Sequence, residues 1–313
     1  MQLDNLSLNN LLSPIPSAPN VMNKRNVALV LSSGGARGYA HIGAIQALEE
    51  HQFQITSVAG TSMGALVGGM YCAGRLDVVK ERMCSLTRRE VLTLIDWSLG
   101  KNHLMKGDKV IEVLKEMVPD VRIEDLPIPF RAVAAELETQ REVVFSSRSL
   151  YRALRASISI PSVLKPIRVG QYVLVDGGVA NPLPLNRVVR TPGDLLVSIN
   201  VSAPASERVD QLRREALHRE QTWMSSIARK LIPFSSEEVD SNYATLLLSA
   251  FTMMIQRNTV LAQKLSPPDI AVNIPMNRFS AFDFDHAERI IREGYECTKE
   301  AIQQWEKAMG TAT

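Results

Sequence analysis

The chain has 313 residues, 45% of them hydrophobic, with 35 Lys+Arg against 33 Asp+Glu, long enough to bury a core without disulfides or a structural metal. A formal net charge of +2 and 5% aromatic residues supply neither the basic field nor the stacking platforms of a nucleic-acid binder. Cys72, Cys84 and Cys297 are odd in number and show no C-x-x-C spacing, which excludes a disulfide framework and an all-cysteine zinc site.

Residues 1–25 are polar, carry Pro14, Pro16 and Pro19 and lack an apolar h-region, so they are expected as a tail and not as a secretory signal. Residues 26–313 are expected as a single domain. Val27–Leu31 is a continuous apolar run, the pattern of a strand covered on both faces. A Gly-rich turn leads into apolar residues at helical spacing over Tyr39–Glu50, then a strand over Ile55–Ala59 and a helix over Ala65–Ala73. No Asp, Glu, Lys or Arg lies between Glu50 and Arg75, but Gly60, Gly64, Gly68, Gly69 and Gly74 interrupt the segment, which makes it buried strand, turn and helix, not a membrane span. Helices are predicted over Leu76–Leu86 and Gly107–Val118, strands over Phe130–Leu137 and Val143–Ser146, and a short helix over Leu150–Ser157. Strands Tyr172–Val175 and Leu195–Val201 flank a proline-bounded helix near Pro184–Val189. Residues 207–265 read as a helical insertion broken near Pro233, followed by strand Ile270–Ile274 and helix Asp285–Ala308. This alternation predicts an α/β fold with a mostly parallel central sheet, helices on both faces and a helical C-terminal insertion.

Three motifs carry chemistry. Gly60-Thr61-Ser62-Met63-Gly64 sits between a predicted strand and an apolar helix, the setting in which G-x-S-x-G holds a serine on a strained turn with its Oγ exposed. The helix that follows offers unpaired N–H groups and a positive dipole end to a developing oxyanion. Ser33-Gly34-Gly35-Ala36-Arg37-Gly38 follows the first strand and opens a helix, but Ser33 occupies the first glycine position of a dinucleotide loop and the second strand ends at Gly60 with no acid for a ribose. A nest of backbone N–H donors is the better use for it. Loops after adjacent parallel strands emerge at the same end of a sheet, so these donors are expected beside Ser62. Arg37 is open to three readings: a brace for the loop, an attractor of anionic substrate, or a surface cation.

Asp176-Gly177-Gly178 follows a buried strand, where open α/β sheets place site residues. Asp176 is positioned to accept the serine proton or to orient the group that does. A Ser–His–Asp triad in the chain order Ser62, Asp176, then His218 or His286 is the rival, although both histidines lie in polar helical stretches. His41 is expected in core or surface service. No ligand cluster or phosphate loop survives inspection, so no metal and no cofactor is expected.

In this order the three motifs resemble the patatin-like phospholipase family. Ala156–Pro161 and Asp176–Leu185 extend the likeness, and Phe279–Tyr295 resembles the bacterial subgroup related to neuropathy target esterase. The resemblance covers about Val27 to Tyr295. It implies a three-layer α/β/α fold and a Ser–Asp dyad, with Ser62 as nucleophile and Asp176 as its partner. It further implies an oxyanion loop of Gly34, Gly35, Arg37 and Gly38, with Gly60, Gly64, Gly177 and Gly178 supporting the motifs. Ser33 stands where the family has glycine; its N–H can still donate, but a positive φ there would be disfavoured. The implied activity is hydrolysis of phospholipid or lysophospholipid esters through an acyl-serine, with acyl transfer by the same nucleophile or a non-catalytic regulator as alternatives. A lipid ester is then the expected partner, in a cytoplasmic protein with peripheral membrane contact. Tyr243–Ile255 is apolar nearly all round but too short to span a bilayer, and is expected as core or as a homo-oligomer contact through the 243–265 helix before a lipid-facing lid.

Overall fold

The computed structural model describes residues 25–87, 89–90, 108–161, 163–205 and 243–310. Residues 1–24 of the predicted tail and 206–242 of the predicted insertion, with Pro233 and His218, lie outside the described residues.

Eight strands make one sheet: β1 (Arg25–Leu31), β2 (Phe53–Thr61), β3 (Phe130–Glu136), β4 (Arg141–Phe145), β5 (Ile167–Val169), β6 (Tyr172–Asp176), β7 (Leu195–Ala203) and β8 (Ile270–Pro275). Their order is β5-β6-β3-β2-β1-β7-β8, with β4 also on β3. The pairs β3–β2, β2–β1, β1–β7 and β7–β8 are parallel, whereas β4, β5 and β6 are joined in antiparallel fashion. The helices are α1 (Ala40–Glu50), α2 (Met63–Cys72), α3 (Leu76–Ser85), α4 (Asp108–Met117), α5 (Leu150–Ser157), α6 (Tyr243–Leu265) and α7 (Ala287–Ala308). The expected mostly parallel sheet flanked by helices is the observed one.

The apolar run of β1 explains why both faces are covered. Val27, Leu29 and Leu31 enter the main core with residues of α1, α2 and α7, while Ala28 and Val30 enter a second cluster with Leu183, Leu185 and Val188. Side chains alternate across a strand, so a strand with partners on both sides must be apolar throughout. The segment Pro184–Val189, predicted as a helix, is instead a turn-rich cover over this second face. Pro184 suits the first position of a helix, but the backbone forms only a turn over residues 185–187, and Leu183, Leu185 and Val188 are buried together against β1. The short edge strand β5 was not anticipated, because three residues bounded by Pro166 and Gly170 carry no readable period.

Strand β4 pairs with β3 from Ala132 to Glu136 along one edge, so β2 and β6 share the other. Strand β2 takes Phe130–Val133 and ends with Thr61 level with Val133; β6 takes Ala134–Glu136 in the opposite direction and ends with Asp176 level with Ala134. The carboxyl ends of β2 and β6 therefore meet head-on, one residue apart along β3. On the opposite side of the core α1 and α7 cross closely at two glycines. A Cβ at Gly43 would run into the carbonyl of Ile291, and one at Gly294 into the carbonyl of Ala40. Among the described residues no helix is long and apolar enough to cross a membrane.

Candidate active site

Ser62 occupies the turn between β2 and α2 with φ 56° and ψ −123°, a region costly for a residue with a Cβ. The flanking glycines are required by space: a Cβ at Gly60 would strike the Gly64 carbonyl, and one at Gly64 the carbonyls of Leu31 and Ser32. The Ser62 N–H donates to Ser157 Oγ at 2.8 Å, and that hydroxyl donates to Val133 O at 2.6 Å. Ser157 belongs to the Ala156–Pro161 segment noted in the sequence, but nothing there signalled this bond, because its partners come from β2 and β3.

The head-on meeting of β2 and β6 brings Ser62 to Asp176. Ser62 Oγ donates to Asp176 Oδ2 at 2.5 Å, and the Gly178 N–H donates to Asp176 Oδ1 at 2.7 Å. One carboxylate oxygen is thus fixed by the backbone and the other faces the hydroxyl. Gly177 has no room for a Cβ, which would meet the Val133 carbonyl. Asp176 is 1% exposed. Burial raises its pKa to about 7, against the opposing pull of the bonds from Ser62 and Gly178. The carboxyl end of β6 was expected to follow the rule for parallel sheets; the strand is antiparallel to β3, and the head-on register is what places Asp176.

The loop after β1 lies beside this pair. Gly34 has φ 174° and ψ 6°. A ψ near zero eclipses its nitrogen with that of Gly35, and the extended φ turns both N–H bonds toward one point, as in an anion-binding nest. The neighbouring amides are already engaged, Ser33 N–H with Pro182 O at 2.8 Å and Ala36 N–H with Ala281 O at 2.9 Å. Gly34 and Gly35 are left as the loop amides without an acceptor among the described residues. The Ser33 N–H therefore serves the fold and not the nest, and its φ is not positive. Gly35 does take a positive φ of 58°. Gly38 lets the turn close on Met63, into which a Cβ would project.

Arg37 is a brace and not a surface cation. It is 6% exposed, and its Nε donates to Gly34 O at 3.1 Å and its Nη1 to Met276 O at 3.0 Å. Burial lowers its pKa to about 10, partly offset by the Asp283 carboxylate.

Ser62, Asp176, Gly34, Gly35 and Arg37 all line one cavity of about 200 Å³. Its walls are otherwise almost wholly apolar, from α2 (Leu66), α4 (Val110, Leu114), α6 (Phe251, Ile255) and the segment before α7 (Phe282). Helix α6, expected as core or an oligomer contact, forms one wall and leaves Leu246, Leu247, Met253 and Leu261 exposed among the described residues. These wall residues were not singled out in the sequence, since their convergence comes from tertiary packing. No histidine among the described residues lines the cavity. His41 is fully buried with Nε2 2.8 Å from Ser32 O, and burial lowers its pKa to about 4. His286 occupies the N-cap position of α7, with no side-chain bond to the helix.

A family model described as patatin-like phospholipase matches residues 29–189, just over half of the chain. The chain belongs to the patatin-like phospholipase family. It is 41% identical over 212 residues to an uncharacterized NTE family protein of Mycobacterium tuberculosis, covering 66% of this chain and 59% of that protein. Lysophospholipase NTE1 of Saccharomyces cerevisiae is 26% identical over 284 residues, which are 88% of this chain and 16% of that protein. The chain thus spans less than two thirds of the length of these relatives. Among solved structures, VipD from Legionella pneumophila covers 90% of this chain and 67% of its own, at 15% identity and a TM-score of 0.46.

Proposed function

We propose that this patatin-like protein hydrolyses the acyl ester of a phospholipid or lysophospholipid through an acyl-serine intermediate. The observation that carries the reading is the Ser62 Oγ to Asp176 Oδ2 bond of 2.5 Å at the end of an apolar cavity. Ser62 Oγ adds to the ester carbonyl carbon as its proton passes to Asp176 Oδ2, and the former carbonyl oxygen takes the charge. The Gly34 and Gly35 amides are the donors for that oxyanion, each such donor being worth about 10²–10³ in rate. The tetrahedral intermediate then expels the alcohol oxygen, which takes the proton from Asp176. Water repeats the sequence on the acyl-serine, giving its proton to Asp176, and the free acid leaves as Ser62 recovers a proton.

A free aspartate is too weak a base for this work near neutrality. Raised to about 7 by burial, Asp176 is matched to it. The apolar walls accept an acyl chain and exclude bulk water, which strengthens every charge interaction inside. The lysophospholipase name of the fungal relatives agrees with a single-chain lipid ester. Delivery of such a lipid implies contact with a membrane surface, which the exposed apolar side chains of α6 suit.

Fluorophosphonate labelling with peptide mapping tests the reading. A single adduct on Ser62 is expected, absent from Ser62→Ala, whose kcat on a lysophospholipid should fall about 10⁴-fold or more. Unchanged turnover in a folded Ser62→Ala protein would sink it.

A further inference from the structure

The carbonyls behind the two nest amides are themselves held by side chains. In a trans peptide the N–H points opposite to the carbonyl, so whatever holds the Ser33 carbonyl aims the Gly34 N–H, and whatever holds the Gly34 carbonyl aims the Gly35 N–H. Ser33 O accepts from Ser202 Oγ at 3.0 Å and from Ser32 Oγ at 3.1 Å; Gly34 O accepts from Arg37 Nε at 3.1 Å. Ser202 sits at the end of β7, fully buried, and its own N–H is tied to Asn200 Oδ1 at 3.0 Å. Its hydroxyl therefore reaches the loop from a rigid strand. The neighbouring Val201 fills the space a Cβ on Gly34 would need, and its N–H donates to Ser32 Oγ at 3.0 Å.

We propose that Ser202 is a positioning residue for catalysis, anchoring the Ser33–Gly34 peptide so that its N–H stays aimed at the oxyanion. The role rests on the reading of Gly34 and Gly35 as the oxyanion donors. A donor on the carbonyl also polarises the peptide and strengthens the N–H on its far side. Arg37 performs the same service for the second amide, so the nest is held from behind by the side chains of Ser32, Ser202 and Arg37.

Ser202→Ala tests this by removing the hydroxyl and little else. On p-nitrophenyl butyrate its kcat is expected to fall about 10-fold, less than the 10²–10³ for loss of a whole donor, with KM within about twofold of wild type. Inhibition by a trifluoromethyl ketone, which adds the serine oxygen and leaves an alkoxide in the nest, should weaken by the same factor. Ser202→Thr, which keeps the hydroxyl, should recover most of both, and melting curves establish that each variant is folded. A folded Ser202→Ala protein with wild-type kcat overturns the role, as does a fall in kcat with ketone affinity unchanged. If the wild type shows no Ser62-dependent turnover and no ketone inhibition, the oxyanion reading itself has failed and takes this role with it.

Discussion

The α1–α7 crossing and the corner where β2 meets β6 are both built on glycines, to opposite ends. At the crossing, Gly43 and Gly294 let two helix backbones approach until the carbonyls of Ile291 and Ala40 fill the space of the missing Cβ atoms; apart from the Tyr295 hydroxyl on Glu50, the gain is packing. At the corner, Gly60, Gly64 and Gly177 make the same close approaches, but the space is used to hold Ser62 at φ 56° and Asp176 out of water. Residues in such conformations persist only where their surroundings over-determine them, at about 1–3 kcal/mol each. The first region stabilises the sheet on which the second is strained.

The comparison is broken most severely at Asp176. Asp176→Asn removes the base and should lower kcat about 10⁴-fold, while wild-type kcat/KM should rise with pH through an apparent pKa near 7. Stability should move the other way. The carboxyl ionises near the ordinary 3.8 when unfolded and near 7 when folded, so the folded wild type is progressively disfavoured as pH rises between those values. The Asn variant lacks that slope, and the melting-temperature gap in its favour should widen from about pH 4 to pH 7 and then level off. Equal gaps at both ends would show that Asp176 is not held as described.

Gly294→Ala should do the reverse, costing about 2–4 kcal/mol in chemical denaturation with kcat of the folded fraction unchanged. Smaller effects are expected in the oxyanion loop. Arg37→Lys keeps the charge but cannot span Gly34 O and Met276 O together, and a roughly tenfold loss in kcat with little change in KM should follow. Ser33→Gly should be nearly silent, within about threefold in kcat, because the Ser33 N–H is spent on Pro182.

What was readable in the sequence was whatever the chain decides locally. The Ser33–Gly38, Gly60–Gly64 and Asp176–Gly178 motifs each lie on one turn between neighbouring elements, and the structure puts each turn where its glycines demand. Their mutual placement was only half legible: adjacency of the loops after β1 and β2 follows from parallel pairing, whereas the head-on register along β3 depends on residues 70 positions and more away from Ser62. Ser157 and Ser202 had no signal at all. A serine in a strand or short helix looks the same whether its hydroxyl meets water, its own backbone, or a peptide that matters. The Pro184–Val189 cover was misjudged because a proline boundary suits a turn as well as the first residue of a helix.

Leu31 lies level with Gly60 in the ladder between β1 and β2, so the loop proposed to receive negative charge and the turn proposed to deliver the attacking oxygen start side by side. Strands in a sheet keep an interval of about 4.8 Å. The interval between the strand ends that carry the two motifs is therefore set by backbone pairing, and the side chains of Ser202 and Arg37 have only to aim the amides at its end. Under the proposed reading, changes in the cavity walls can alter which acyl group is admitted while that interval holds still.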